Sequence, residues 1–191
     1  MYSGLLIYIR YDVARAIYGF GPFMFKNRLS ITMPRVMSFL TELRKAEAAK
    51  LPVGVAGFCW GGQHVVHLAA ETPSDSKPLV DVCFTAHPSA VSFPQDIEKI
   101  RKPFSVAIGD KDPLMTQEQA RETEAALRKN KVEYEVVVYE GAGHGFSVRI
   151  DRTNPKQTEQ AIRAEEQAVK WFTKHFEKST MVSELMAQAH T

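Results

Sequence analysis

The segment Val53-Gly54-Val55-Ala56-Gly57-Phe58-Cys59-Trp60-Gly61-Gly62 carries an apolar, strand-like run straight into a glycine-bracketed cysteine and then into residues of helical spacing. A turn that sharp needs small residues two before and two after its apex, because neighbouring backbone presses against it. Gly57 and Gly61 meet that requirement. Cys59, at the apex, is thereby held out beyond the end of a strand, which is how a nucleophile is presented. A nucleophile of this kind needs an acid and then a histidine later in the chain, and Asp112 and His144 follow in that order.

The hydrophobic pattern extends the same logic along the chain. Strands are predicted at 4–9, 52–58, 79–84, 104–108 and 133–139, and helices at 32–48, 63–71, 116–130 and 158–177. Pro34 falls where a first helical turn tolerates it, and 72–78, with two prolines and two serines, reads as a break. Along the last helix Ile162, Val169, Phe172 and Phe176 are the expected inner face. Strands alternating with helices predict a parallel sheet covered on both faces, whose ligands bind beyond the carboxyl ends of the strands. Cys59, Asp112 and His144 each follow a predicted strand at that edge.

With 191 residues, 45% of them hydrophobic, the chain can bury one substantial core. One domain is expected over 1–178, followed by a tail at 179–191. A net charge of +2 with dispersed lysines and arginines gives no basic stripe, so nucleic acid is not an expected partner. Arg10, Asp12 and Arg15 interrupt the apolar patches of the first 25 residues, which predicts neither a membrane span nor a secretory leader. Two cysteines make no disulfide framework, and a reducing, cytoplasmic location is expected. His64, His67 and Glu71 share one helical face, yet no further ligands converge on them in sequence; no metal and no organic cofactor are expected. The glycines of 57–62 fit neither the dinucleotide fingerprint nor the P-loop.

Four segments, Gly57-Phe58-Cys59-Trp60-Gly61-Gly62, Ala86-His87-Pro88-Ser89, Gly109-Asp110-Lys111-Asp112-Pro113 and Gly143-His144-Gly145-Phe146, resemble in their order the dienelactone hydrolase family. The resemblance implies an α/β-hydrolase type of fold, a mostly parallel sheet with helices on both faces, here lacking the first strands. It implies hydrolysis of a small lactone or ester through Cys59, His144 and Asp112, without metal or cofactor, in a monomer or homodimer. The family pattern favours Asp112 over Asp110 as the acid and makes Asp110 a turn residue. The N–H of Trp60, just after the nucleophile, is the expected oxyanion donor.

His87 ends its strand near the same edge, where it either touches substrate or shapes the loop. Phe146 is grouped with it as a substrate contact. Arg149 lies one position from where family members that bind carboxylated lactones place an arginine, and it is either a carboxylate fork or a surface residue. Cys83, in mid-strand, reads as core. The alternative function is a weak or inactive relative acting as a binding or redox-responsive protein.

Overall fold

The computed structural model describes residues 18–19, 21–71 and 77–188. The strand expected at 4–9 lies outside them, as do residues 72–76 of the expected break. The chain divides into two units, Met1–Phe39 and Leu40–Thr191, and the whole sheet belongs to the second. Helix α1 spans Gly21–Lys26 and α2 spans Leu29–Lys45; because α2 starts earlier than its pattern suggested, Pro34 falls inside it rather than in its first turn.

Four strands follow, β1 (Gly54–Phe58), β2 (Val82–Ala86), β3 (Phe104–Gly109) and β4 (Tyr134–Tyr139). They pair in chain order, all parallel. Between them run α3 (Gly61–Ala69) and α4 (Gln117–Lys129), and α5 (Pro155–Gln188) closes the chain. The parallel order requires three crossovers: α3 supplies the one from β1 to β2 and α4 the one from β3 to β4, while the passage from β2 to β3 holds only the short 3-10 turn Ile97–Lys99. Thr116 starts α4 with a reciprocal capping box to Gln119. Among the described residues no helix is long and apolar enough to cross a membrane.

Strand β2 begins three residues later than its apolar run, at Val82 rather than Leu79. The reason lies in Asp81. Its carboxylate accepts from the Val53 N–H at 2.7 Å and from Arg44 at 2.6 Å, while Arg44 also donates to the carbonyls of Pro78, Leu79, Ala48 and Leu51. One guanidinium thus satisfies five acceptors where the chain enters the sheet, and Leu79 and Val80 are spent on that corner. Val80 is still fully buried.

Alternation along the strands separates the two faces. Val82, Phe84, Ala86, Ala107 and Tyr139 pack with Ala164 and Trp171 of α5. On the opposite face α3 comes so close that a Cβ on Gly57 would meet Val65. Helix α5 covers its face with a stripe that keeps Phe172 and Phe176 of the four residues expected, both packed against the core, and replaces the other two. Gln160, Ala164, Gln167 and Trp171 point inward, whereas Ile162 and Val169 are exposed. Gln167 accepts from the Tyr139 hydroxyl and donates to Ser105 Oγ, both at 2.9 Å, Ser105 donates on to Glu135, and the Trp171 indole N–H donates to the Cys83 carbonyl. Buried glutamine is acceptable because its donors and acceptors are matched.

Candidate functional site

The site is assembled at the carboxyl ends of β1, β2, β3 and β4. After Phe58 the chain turns at Cys59 with φ of +54°, a left-handed conformation uncommon outside glycine, and enters α3 with Trp60 at the N-cap. The turn is braced by Cys59 N–H donating to the Ala86 carbonyl and by the Cys59 carbonyl accepting from Gly62 and Ser89. A Cβ on Gly57 would lie 2.6 Å from the Gly61 carbonyl oxygen, so this position admits no side chain. Gly61 itself faces open space. Gly62 is the second glycine that packing demands, since a Cβ there would lie 2.5 Å from Pro88 and 2.7 Å from Thr85 Oγ1. The spacing argument therefore holds for Gly57, and the tight approach on the helix side falls one residue later than Gly61.

Three distant side chains meet in front of this turn. Cys59 Sγ lies 2.9 Å from His144 Nε2, and His144 Nδ1 lies 2.9 and 3.1 Å from the two carboxylate oxygens of Asp112. The ionised carboxylate can only accept, so the Nδ1 proton faces Asp112 and Nε2 faces the sulfur. The Asp112 side chain is wholly buried and also accepts from the Leu114 N–H at 2.8 Å. Asp110, the competing acid in the same loop, accepts from the Gly141 N–H at 2.7 Å and ties the β3 loop to the β4 loop. Gly109 lets those loops approach, because any Cβ there would strike the Ala142 carbonyl.

His87 follows β2 with φ of +40° and is completely buried. Its Nε2 lies 2.7 Å from Ser147 Oγ, Nδ1 has no hydrogen-bond partner, and the ring meets His144 edge-on at 5.3 Å between centroids. Burial, followed by the neighbouring His144, pushes its pKa down to about 4, so the ring is neutral at ordinary pH. Phe146 is also buried, packed on Tyr139 and His87. Arg149 is exposed, and its Nη2 lies 3.6 Å from Cys59 Sγ. It reaches there across Gly145, whose φ of +87° and lack of a Cβ leave room for the guanidinium.

Sequence reasoning passed over Ser147, which carries no motif and is found only by its contact with His87. The sequence places His87 at the same edge, and the structure brings it closer than that reading required: one ligand atom each of Cys59, His87 and His144 lies within 4.8 Å of the others. The face of α3 behaves otherwise. His64 packs on Trp60 and His67 lies 3.7 Å from Asp96. Beside Phe58 opens an apolar cavity of about 410 Å³, lined in part by Phe84, Val148, Ala168 and Phe172.

The model of the dienelactone hydrolase family matches residues 24–176. Hydrolase tropI of Talaromyces stipitatus is 33% identical over 156 residues, covering 80% of this chain and 58% of that protein. The human carboxymethylenebutenolidase homolog is 24% identical, covering 81% and 61%. The chain thus spans about three fifths of the length of these curated relatives. Among solved structures, the carboxylesterase Cest-2923 from Lactobacillus plantarum superposes with a TM-score of 0.59 at 14% identity, covering 74% of this chain and 66% of that one, a likeness of fold. With a parallel α/β core, a strained cysteine turn at its rim and a family match over most of its length, the chain belongs to the dienelactone hydrolase family.

Proposed function

We propose that the chain hydrolyses a small ester or lactone through Cys59, with His144 as base and Asp112 as the group that orients it. The observation that carries this reading is the continuous contact from Sγ through the imidazole to a buried carboxylate, at 2.9 Å on either side of the ring. The thiolate is the nucleophilic form of cysteine. His144 takes the thiol proton, the sulfur adds to the carbonyl carbon, and the Trp60 N–H at the start of α3 faces the developing oxyanion. On collapse the C–O bond breaks, and the imidazolium returns its proton to the leaving alkoxide. Water, deprotonated by the same ring, then cleaves the thioester and frees the acid and the thiol.

Arg149, within reach of the sulfur, suits a substrate carboxylate or the thiolate itself, and the apolar cavity beside Phe58 suits the substrate's hydrocarbon part. His87 and Phe146, being enclosed, act by holding His144 in place. The test is turnover of an activated aryl ester with a burst equal to one acyl group per chain. Cys59→Ala should lower turnover by at least about a thousandfold, and a rate indifferent to that change removes the proposal. The same cation near the sulfur favours a second reading, oxidation of Cys59 by peroxide in a redox-responsive relative. In that case mass spectrometry would find sulfenic acid on Cys59 in a chain without ester turnover.

A further inference from the structure

We propose that Cys59, His144 and His87 together bind a thiophilic divalent cation of the zinc type, which seats itself on the nucleophile and reversibly silences it. The binding stands on geometry alone; the silencing rests on the hydrolase reading. One thiolate and two imidazoles form a three-ligand set that leaves a fourth position to water, a combination suited to zinc. Around tetrahedral zinc, sulfur and nitrogen ligands stand about 3.5 Å apart, as follows from bond lengths near 2.3 and 2.05 Å. Here Sγ and Nε2 of His144 are 2.9 Å apart, and all three ligand atoms lie within 4.8 Å. The shifts required are within side-chain reach.

The surroundings are those of a metal-bound histidine. A ligating ring normally gives its other N–H to a carboxylate, hydroxyl or carbonyl, which sets the tautomer and the ring's orientation. His144 does this through Nδ1 to Asp112. His87 has Nε2 on Ser147 Oγ and Nδ1 buried with no hydrogen-bond partner, so in the tautomer whose Nε2–H donates to the serine, Nδ1 offers its lone pair to a cation. That orphaned atom has no function in ester hydrolysis. Cys59 and His144 are only half-buried, so a cation can reach them, and the exposed Arg149 guanidinium can swing off the sulfur when it arrives. Binding releases the one proton shared by the Cys59–His144 pair to solvent and changes no oxidation state.

The decisive measurement is titration of the whole chain with Co2+, a spectroscopic substitute for Zn2+, in the absence of oxygen. A thiolate-to-cobalt charge-transfer band should grow to one equivalent, be displaced by Zn2+, vanish in Cys59→Ser, and need at least about tenfold more metal in His87→Gln. Because His87 is enclosed and its replacement can cost the fold, the wild-type chain with 15N-labelled histidine supplies the second readout. Zn2+ should shift the ring nitrogens of His87 and His144 together. Absence of the band in the wild type, or His87 nitrogens that stay put when Zn2+ is bound, overturns the site. Ester turnover measured on the same chain before metal is added keeps the two ideas apart: turnover of the metal-free chain with no band on titration removes the metal site alone, a band from a chain that shows no turnover when metal-free removes the hydrolase reading alone, and turnover undiminished once the band is complete removes the silencing.

Discussion

One cysteine lies within a strand of the sheet and the other just beyond the end of the neighbouring strand, and they inhabit opposite chemical worlds. Cys83 lies in the middle of β2, fully buried, and burial drives its thiol pKa far above the ordinary value. Cys59 lies just past the end of β1, half-exposed on a left-handed turn, with an imidazole at 2.9 Å and a guanidinium at 3.6 Å. Residue type is the same in both. What differs is whether the chain leaves the sheet at that point, because only beyond the strand ends can loops from β3 and β4 bring charged groups to the sulfur.

The largest difference should appear in alkylation. Iodoacetamide is expected to label Cys59 in the folded chain at least about a hundredfold faster than Cys83, and equally fast once the chain is denatured. Peptide mass spectrometry over a time course checks this; equal rates in the native state would erase the contrast. His144→Ala should slow labelling of Cys59 and leave Cys83 untouched.

Acid sharpens the comparison from the side of the imidazoles. His87 titrates near 4 when folded against about 6.5 when unfolded, so its contribution is fully present above pH 6.5 and declines as pH falls toward 4. The loss amounts to about 3 kcal/mol. His64 and His175, also shifted down by burial, add in the same direction. Denaturant midpoints measured from pH 7 to 4 should fall accordingly, and the fall should shrink in His87→Gln; a flat profile would show that the rim tolerates a charged ring.

The smallest effect separates two adjacent glycines. Gly62→Ala drives a methyl into Pro88 and Thr85 and should cost about 1–3 kcal/mol, whereas Gly61→Ala meets nothing and should stay within about 0.5 kcal/mol. Urea melts of the two variants decide it, and equal losses would mean that the turn itself, not its packing, requires both.

Much of this was legible in the chain. Cys59 is legible from its glycines as the apex of a turn, and Asp112 and His144 from their places after strands as its neighbours, because a parallel sheet sends every strand end to one rim. The choice between Asp110 and Asp112 could not come from spacing, since both leave the same loop and only contact with His144 distinguishes them. The inner face of α5 is legible at Phe172 and Phe176 and departs from its pattern at the other two positions for a different reason. Hydropathy favours Ile162 and Val169, but the sheet offers Ser105, Tyr139 and a carbonyl there, and Gln167 matches that surface. The delayed start of β2 escaped for a similar cause, as apolar Leu79 and Val80 serve the Arg44–Asp81 corner.

Gln167 holds Ser105 of β3 with one end and Tyr139 of β4 with the other. Those strands deliver Asp112 and His144, so the amide acts as a crosspiece between the two supports of the acid and the ring. Fluctuations that would part carboxylate from imidazole must first break that pairing, and cutting it with a shape-preserving leucine should leave Cys59, His144 and Asp112 all present while letting the pair drift out of step.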